Sequence, residues 1–185
     1  MFLSEVPLSK YFQLKHQEEI YDGKIIQLTV DQIKTSSGLE VVREVVHHPG
    51  GVGILPLLPN EQVLLVKQFR YPIQKSLLEI PAGKIDPGES PEFSAARELQ
   101  EEVGFRAGSL EKLTEFYTTP GFCSERLHLY LAKDLNRCQA GSLDEEEEIT
   151  ICRCSFDEVF ALIRSGKIID AKTLIAFQFL FYRGF

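Results

Sequence analysis

Apolar positions change their period along this chain. Val, Ile and Leu recur with partial alternation in KIIQLTVDQIKT (from Lys24), LEVVREVVHH (from Leu39) and QVLLVKQFR (from Gln62). A two-residue period sends alternate side chains to opposite faces, so these segments predict β-strands. VGILPLLPNEQVLLVKQF predicts two strands joined by a turn at Pro59-Asn60, residues that favour chain reversal. LEKLTEFY (from Leu110), RLHLYLA (from Arg126) and EITICRC (from Glu148) predict three more. Two helices are expected to close the chain. SFDEVFALIRSG has Ser155 to cap its start and Gly166 to stop it. AKTLIAFQFLFY is apolar on every side, which predicts a well-buried helix.

The sharpest local pattern is GESPEFSAARELQEEVGF. Ser90 can cap a helix and Pro91 fits its first position. Glu92 places a negative charge in the first turn, where the helix dipole favours it. Gly104 tolerates the left-handed conformation that ends helices. A helix from near Pro91 to Val103 follows. It carries Glu98, Glu101 and Glu102, with Glu98 and Glu102 one turn apart on one face. Arg97, four residues before Glu101, can pair with it. Three like charges this close destabilise a bare helix. A divalent cation would offset the repulsion, and hard cations take carboxylate oxygens. The ordinary reading of such a run is a solvated acidic face.

The composition narrows the class. The chain has 185 residues, 44% of them hydrophobic, enough for a core and against intrinsic disorder. That length fits a single domain, residues 1–185. The net charge of -7 argues against nucleic acid as a partner, since its phosphates demand Lys and Arg. A phosphorylated substrate stays open, because metal ions mask carboxylates locally. MFLSEVPLSK lacks the basic stretch and apolar run of a signal peptide, and no apolar run reaches the length of a membrane span. The expectation is a cytoplasmic protein without a membrane partner. Cys123, Cys138, Cys152 and Cys154 form no CxxC pair, so neither a zinc site nor a thioredoxin-like motif is expected. Cys152 and Cys154 share a strand face and are read as reduced thiols.

The wider spacing around the acidic helix decides between its two readings. Gly83 is followed by five residues and Glu89; seven residues later come Arg97, Glu98, Leu99, Glu101, Glu102, Gly104 and Phe105. All nine constrained positions of the pattern Gly-x5-Glu-x7-Arg-Glu-U-x-Glu-Glu-x-Gly-U are filled, where U is bulky and apolar. The sequence resembles the Nudix hydrolases, whose signature this is. The resemblance implies an α+β fold, an α/β/α sandwich with a mixed sheet between helices, and hydrolysis of a nucleoside diphosphate linked to another moiety. It implies that Glu98 and Glu102 bind the metal with the catalytic Glu101 beside them. It gives Glu89 a supporting role and Arg97 the task of orienting carboxylates. Gly83 would permit a tight turn into the loop.

The flanks EVVREVVHHPGGVGILPL, VKQFRYP, LLEIPAGKIDPGE and FYTTPGFCSERLHLYLA look like the ADP-ribose pyrophosphatase branch, as does Pro120 after the box. By that resemblance the carbonyl of Ala82 also binds metal, and Arg43, Glu44, Arg70 and Glu125 contact the substrate. Arginine can make paired hydrogen bonds to phosphate, and glutamate can accept from amines or ribose hydroxyls. The acidic run Asp144–Glu148 corresponds to a loop that supplies a catalytic carboxylate. Its Glu-x-Glu-x-Ile pattern fits Glu145 as general base and Glu147 as a further metal contact. The implied cofactor is Mg2+, with Mn2+ as the alternative ion. The implied products of ADP-ribose are AMP and ribose 5-phosphate. Some relatives stack adenine on an aromatic in the first strand, where this chain has Ile25 and Ile26. GDP-mannose, ADP-glucose or a broader set of nucleoside diphosphate sugars therefore stays open. A remote alternative is a non-catalytic nucleotide sensor, against which the whole box speaks. The branch also implies a homodimer, with residues 1–45 as the strand region used in dimerisation.

Overall fold

The computed structural model describes residues 11–138 and 149–183. They divide into two compact units: the chain up to Pro49 with Tyr117–Arg126, and Gly50–Phe116 with the chain from Leu127 onward.

In the first unit, β1 (Phe12–Asp22), β2 (Gln27–Thr35) and β3 (Glu40–His47) form an antiparallel three-stranded sheet. The predicted second and third strands are present. β1 lies in the strand region that the resemblance implies but was not among the strands predicted from alternation: FQLKHQEEIYD has no clean alternation, and every one of its residues is exposed. Without a buried face there is no two-residue pattern to write. The segment from Tyr117 to Arg126 is fastened to the end of β3. Val46 donates to Phe122 O (2.8 Å) and accepts from Ser124 N–H (2.9 Å).

The second unit holds a seven-stranded mixed sheet with the main order β12-β5-β4-β10-β9. These strands are β4 (Gly51–Leu58), β5 (Gln62–Arg70), β9 (Ser109–Tyr117), β10 (Arg126–Lys133) and β12 (Ile149–Ser155). β4 and β10 run parallel, whereas β4–β5 and β5–β12 are antiparallel. β8 (Phe105–Arg106) and β11 (Asn136–Arg137) form a separate small ladder. The β4–β5 turn places its left-handed residues at Asn60 (φ 62°) and Glu61 (φ 55°), one position later than expected. Proline, locked near φ -65°, cannot take that conformation.

Alternation explains the layers. Leu55, Val63, Leu65, Leu129 and Leu131 face one cluster with Phe156, Val159, Phe177 and Leu180, from α2 (Phe156–Arg164) and α3 (Ala171–Tyr182). Val52, Ile54, Leu64, Val66, Tyr130 and Ala132 face the other with Ala95, Leu99 and Val103 of α1 (Pro91–Val103). β4, β5 and β10 each bury both faces, so the sheet is covered by helices on two sides, which is the α/β/α sandwich expected. α3 differs from expectation: Ala176, Phe177 and Leu180 are buried, but Phe181 and Tyr182 are 65% and 74% exposed. It lies on the sheet as an outer layer and therefore buries one face only.

β4 and β5 are paired only near their hairpin, at Leu57–Val63 and Leu58–Gln62. Beyond it, β6 (Lys75–Glu79) pairs with β5 and β7 (Ala82–Lys84) pairs with β4. The Ile80-Pro81 step crosses from one to the other, and Pro81 O accepts from Ile54 N–H (2.8 Å). This crossing carries Ala82 and Gly83 to α1.

Candidate active site

α1 begins and ends where its local signals place it. The Ser90 side chain accepts from Phe93 N–H, Pro91 opens the helix, and Gly104 closes it at φ 71° with its N–H on Gln100 O. Leu99, Ala95 and Val103 are buried against the sheet. That burial fixes the helix's rotation, so Glu98 and Glu102 are set by the packing of their apolar neighbours.

Arg97 is the hub of this face. Its guanidinium donates to Glu89, to Glu98 (2.7 Å) and to Glu101 (3.0 Å), and to Lys84 O (3.1 Å). Burial alone would lower its pKa; the bonds to Glu89 and the nearby Glu98 charge outweigh this and raise it above the ordinary arginine value. Glu89 in turn is held below the usual carboxylate range by Arg97 and by the Ser94 hydroxyl, which donates at 2.7 Å. One cation thus ties three glutamates and the loop before the helix into a single arrangement.

Glu102 is 5% exposed and accepts from Ala82 N–H at 3.0 Å. A Cβ built on Gly83 would overlap the Glu98 carboxylate. Gly83 is not one of the left-handed glycines, so its role is this close approach rather than the tight turn expected. The loop main chain and both carboxylates are packed together. The donors here are all oxygens, which suits a hard divalent cation. Among the described residues no three His, Cys, Asp or Glu side chains converge as a complete ligand set. Glu145 and Glu147 lie outside the described residues.

Arg70 ends β5, with its Nε and Nη2 donating to Glu79 Oε1 (2.9 Å) and Oε2 (2.7 Å). Glu79 is completely buried. It was not singled out from sequence, because its partners come from β5 and, 93 residues away, from α3.

The other sequence candidates belong to the first unit. Arg43 and Glu44 stand on β3, are exposed, and line a cleft of about 540 Å³ with Leu28, Val42, Val46 and Phe122. Glu125 accepts from the Thr118 hydroxyl at 2.7 Å and lies 3.8 Å from His48 Nδ1. Phe122, 57% exposed beside Arg43 in that cleft, was also missed. An aromatic next to the Pro120-Gly121 turn was its signal.

A helix of clustered glutamates is thus packed on a loop that crosses a split mixed sheet. The chain belongs to the NUDIX domain family, whose model matches residues 47–177. The ADP-ribose pyrophosphatase of Bacillus subtilis (strain 168) is 41% identical to it, over 89% of both chains. The methanol dehydrogenase activator of Bacillus methanolicus is 39% identical, over 94% of this chain and 95% of its own. A crystal structure described as an ADP compounds hydrolase superposes with a TM-score of 0.81 over 92% of both chains. At 23% identity that likeness establishes the shared fold. No helix among the described residues is long and apolar enough to cross a membrane.

Proposed function

We propose that this protein is a magnesium-dependent pyrophosphohydrolase that cleaves ADP-ribose to AMP and ribose 5-phosphate. The observation that carries the reaction class is the packing of Glu98 and Glu102 against the Ala82-Gly83 main chain. The likeness to the Bacillus subtilis pyrophosphatase supports the substrate.

In this reading Glu98, Glu102, the Ala82 carbonyl and Glu147 hold the cation. Magnesium, when bound, supplies positive charge to the diphosphate oxygens and makes water more acidic. Glu145 accepts a proton of the attacking water, whose oxygen bonds to one phosphorus as the bond from that phosphorus to the bridging oxygen breaks and the other phosphate leaves with that oxygen. Arg97 keeps Glu98 and Glu101 in fixed orientations, so that little reorganisation is left for the reaction itself. Arg43, Glu44 and Glu125 hold the nucleotide, Arg70 a phosphate, and the exposed Phe122 ring offers the base a stacking face that Ile25 and Ile26 do not. The protein works in the cytoplasm as a homodimer joined through its N-terminal strands. The exposed Phe12, Leu14, Ile20 and Tyr21 of β1 support that assembly.

The test is turnover of ADP-ribose, ADP-glucose, GDP-mannose, NADH and 8-oxo-dGTP with magnesium, read as nucleoside monophosphate released. Fastest release of AMP from ADP-ribose is expected. Preference for GDP-mannose would keep the carboxylate site and discard the adenine reading. Tight binding without turnover of any would overturn the hydrolase.

A further inference from the structure

Behind Arg70 lies a closed polar chain inside an otherwise apolar layer. Besides the two bonds from Arg70, the buried Glu79 carboxylate accepts from Lys172 Nζ of α3. Lys172, itself 9% exposed, also donates to Asp170 Oδ1 at 2.9 Å. The other Asp170 oxygen caps α3, accepting from Thr173 N–H (3.0 Å) and from its hydroxyl (2.6 Å). Thr173 Oγ1 in turn accepts from Ile80 N–H at 2.9 Å, next to Glu79. Two acids and two bases thus join β5, β6 and the start of α3 with no net charge. Burial alone would push Glu79 up; Arg70 and Lys172 outweigh it and keep the carboxyl below its usual range.

Removing charges from water is costly, and an apolar residue at position 79 would fill this layer at least as well. The arrangement does something an apolar residue cannot. A carboxylate meeting Nε and Nη2 together fixes the plane of a guanidinium. Among the described residues Arg70 Nη1 has no protein partner, and the side chain is 35% exposed. The Glu102 charge is also felt at Arg70, which relates it to the α1 carboxylates. The lysine brace matters too. With Lys172 pulling on Oε2 from α3, Glu79 cannot follow Arg70 outward.

We propose that Glu79 is a positioning residue for the substrate: braced by Lys172, it locks the Arg70 guanidinium so that its uncommitted N–H groups meet a phosphate oxygen in one orientation. This rests on the reading of Arg70 as a phosphate contact. A pre-set arginine loses less freedom on binding than a mobile one. Because that contact is present in both the bound and the reacting state, its loss acts on KM and leaves kcat.

The test uses the full chain with magnesium and the substrate it turns over fastest. Arg70→Ala, Glu79→Gln, Glu79→Gln/Lys172→Met and Arg70→Ala/Glu79→Gln are compared by KM, kcat, Tm and, without turnover, calorimetric AMP affinity. The Lys172→Met pairing keeps the buried charges balanced and carries the test where Glu79→Gln alone folds poorly. The expected result is a KM rise of about tenfold, the upper end for freeing one side chain. AMP binding weakens alike, kcat is retained, and nothing further is lost once Arg70 is alanine. A lower Tm and kcat with unchanged KM and AMP affinity would show a structural role only and overturn the proposal. So would a Glu79→Gln effect that persists in the Arg70→Ala background. Unchanged KM and AMP affinity in Arg70→Ala would instead remove Arg70 from the substrate site, and this proposal with it.

Discussion

Gly83 and Glu98 approach so closely that a single methyl group on residue 83 would overlap the Glu98 carboxylate. A glycine with ordinary backbone angles is thus required by what faces it. Because Glu98 is also tied to Arg97 at 2.7 Å, it cannot yield without disturbing the whole carboxylate group. Gly83→Ala is expected to lower kcat by about a hundredfold, the scale for a misplacement near 1 Å at a reacting centre. Stability should fall by about 1–3 kcal/mol, as for other overpacked sites. Turnover and Tm measured together check this; full activity would mean that Glu98 has room to move.

Glu98→Gln keeps the shape of the side chain and removes its charge. A rate loss of at least about a hundredfold is expected, comparable to removing one preorganised electrostatic stabiliser. Turnover titrated to saturating magnesium is the measurement. Near-normal rates there would take Glu98 out of the metal site.

Glu158 reports on acid stability at a distance from the carboxylate group. Its carboxylate accepts from the Ser155 N–H (2.7 Å) and hydroxyl (3.0 Å), which hold it below its ordinary value. A group depressed in the folded state adds stability above its unfolded pKa and loses it as pH falls through the folded one. Glu158→Gln can still complete the capping box. Thermal melts of the two proteins should therefore run parallel from neutral pH down to the ordinary carboxylate range and converge below it. A constant offset at every pH would contradict the assignment.

Phe177 of α3 is buried and meets Phe156 and Phe160 edge-on, with ring centroids 6.2 and 6.0 Å away. Phe177→Ala should cost about 3–5 kcal/mol, from lost burial and the cavity left behind. Urea denaturation monitored by circular dichroism gives the figure. A loss below about 1 kcal/mol would mean that α3 is not anchored by this residue.

α1 was legible in the sequence because its determinants are local. The Ser90 cap, the first-position Pro91 and the closing Gly104 lie within one stretch of chain, and each acts on neighbouring backbone groups. β4, β5, β9, β10 and β12 were legible for a similar reason, since a buried face writes a two-residue period into the chain; β6, β7, β8 and β11 were not read, because two to five residues are too few to show one. β1 buries nothing and so wrote no period. α3 carries apolar residues all round, yet a neighbour lies on one side of it only; composition cannot say which side that is.

The sequence by itself determined the family, the acidic helix and the residues that form the carboxylate group, because spacing along a helix converts directly into a shared face. Only the tertiary structure decided why position 83 must be glycine, how Arg97 gathers Glu89, Glu98 and Glu101, and that Glu79 and Lys172 brace Arg70 from within. Those relationships join segments up to 93 residues apart. Contacts of that kind arise when sheet and helices pack, and no local periodicity encodes them.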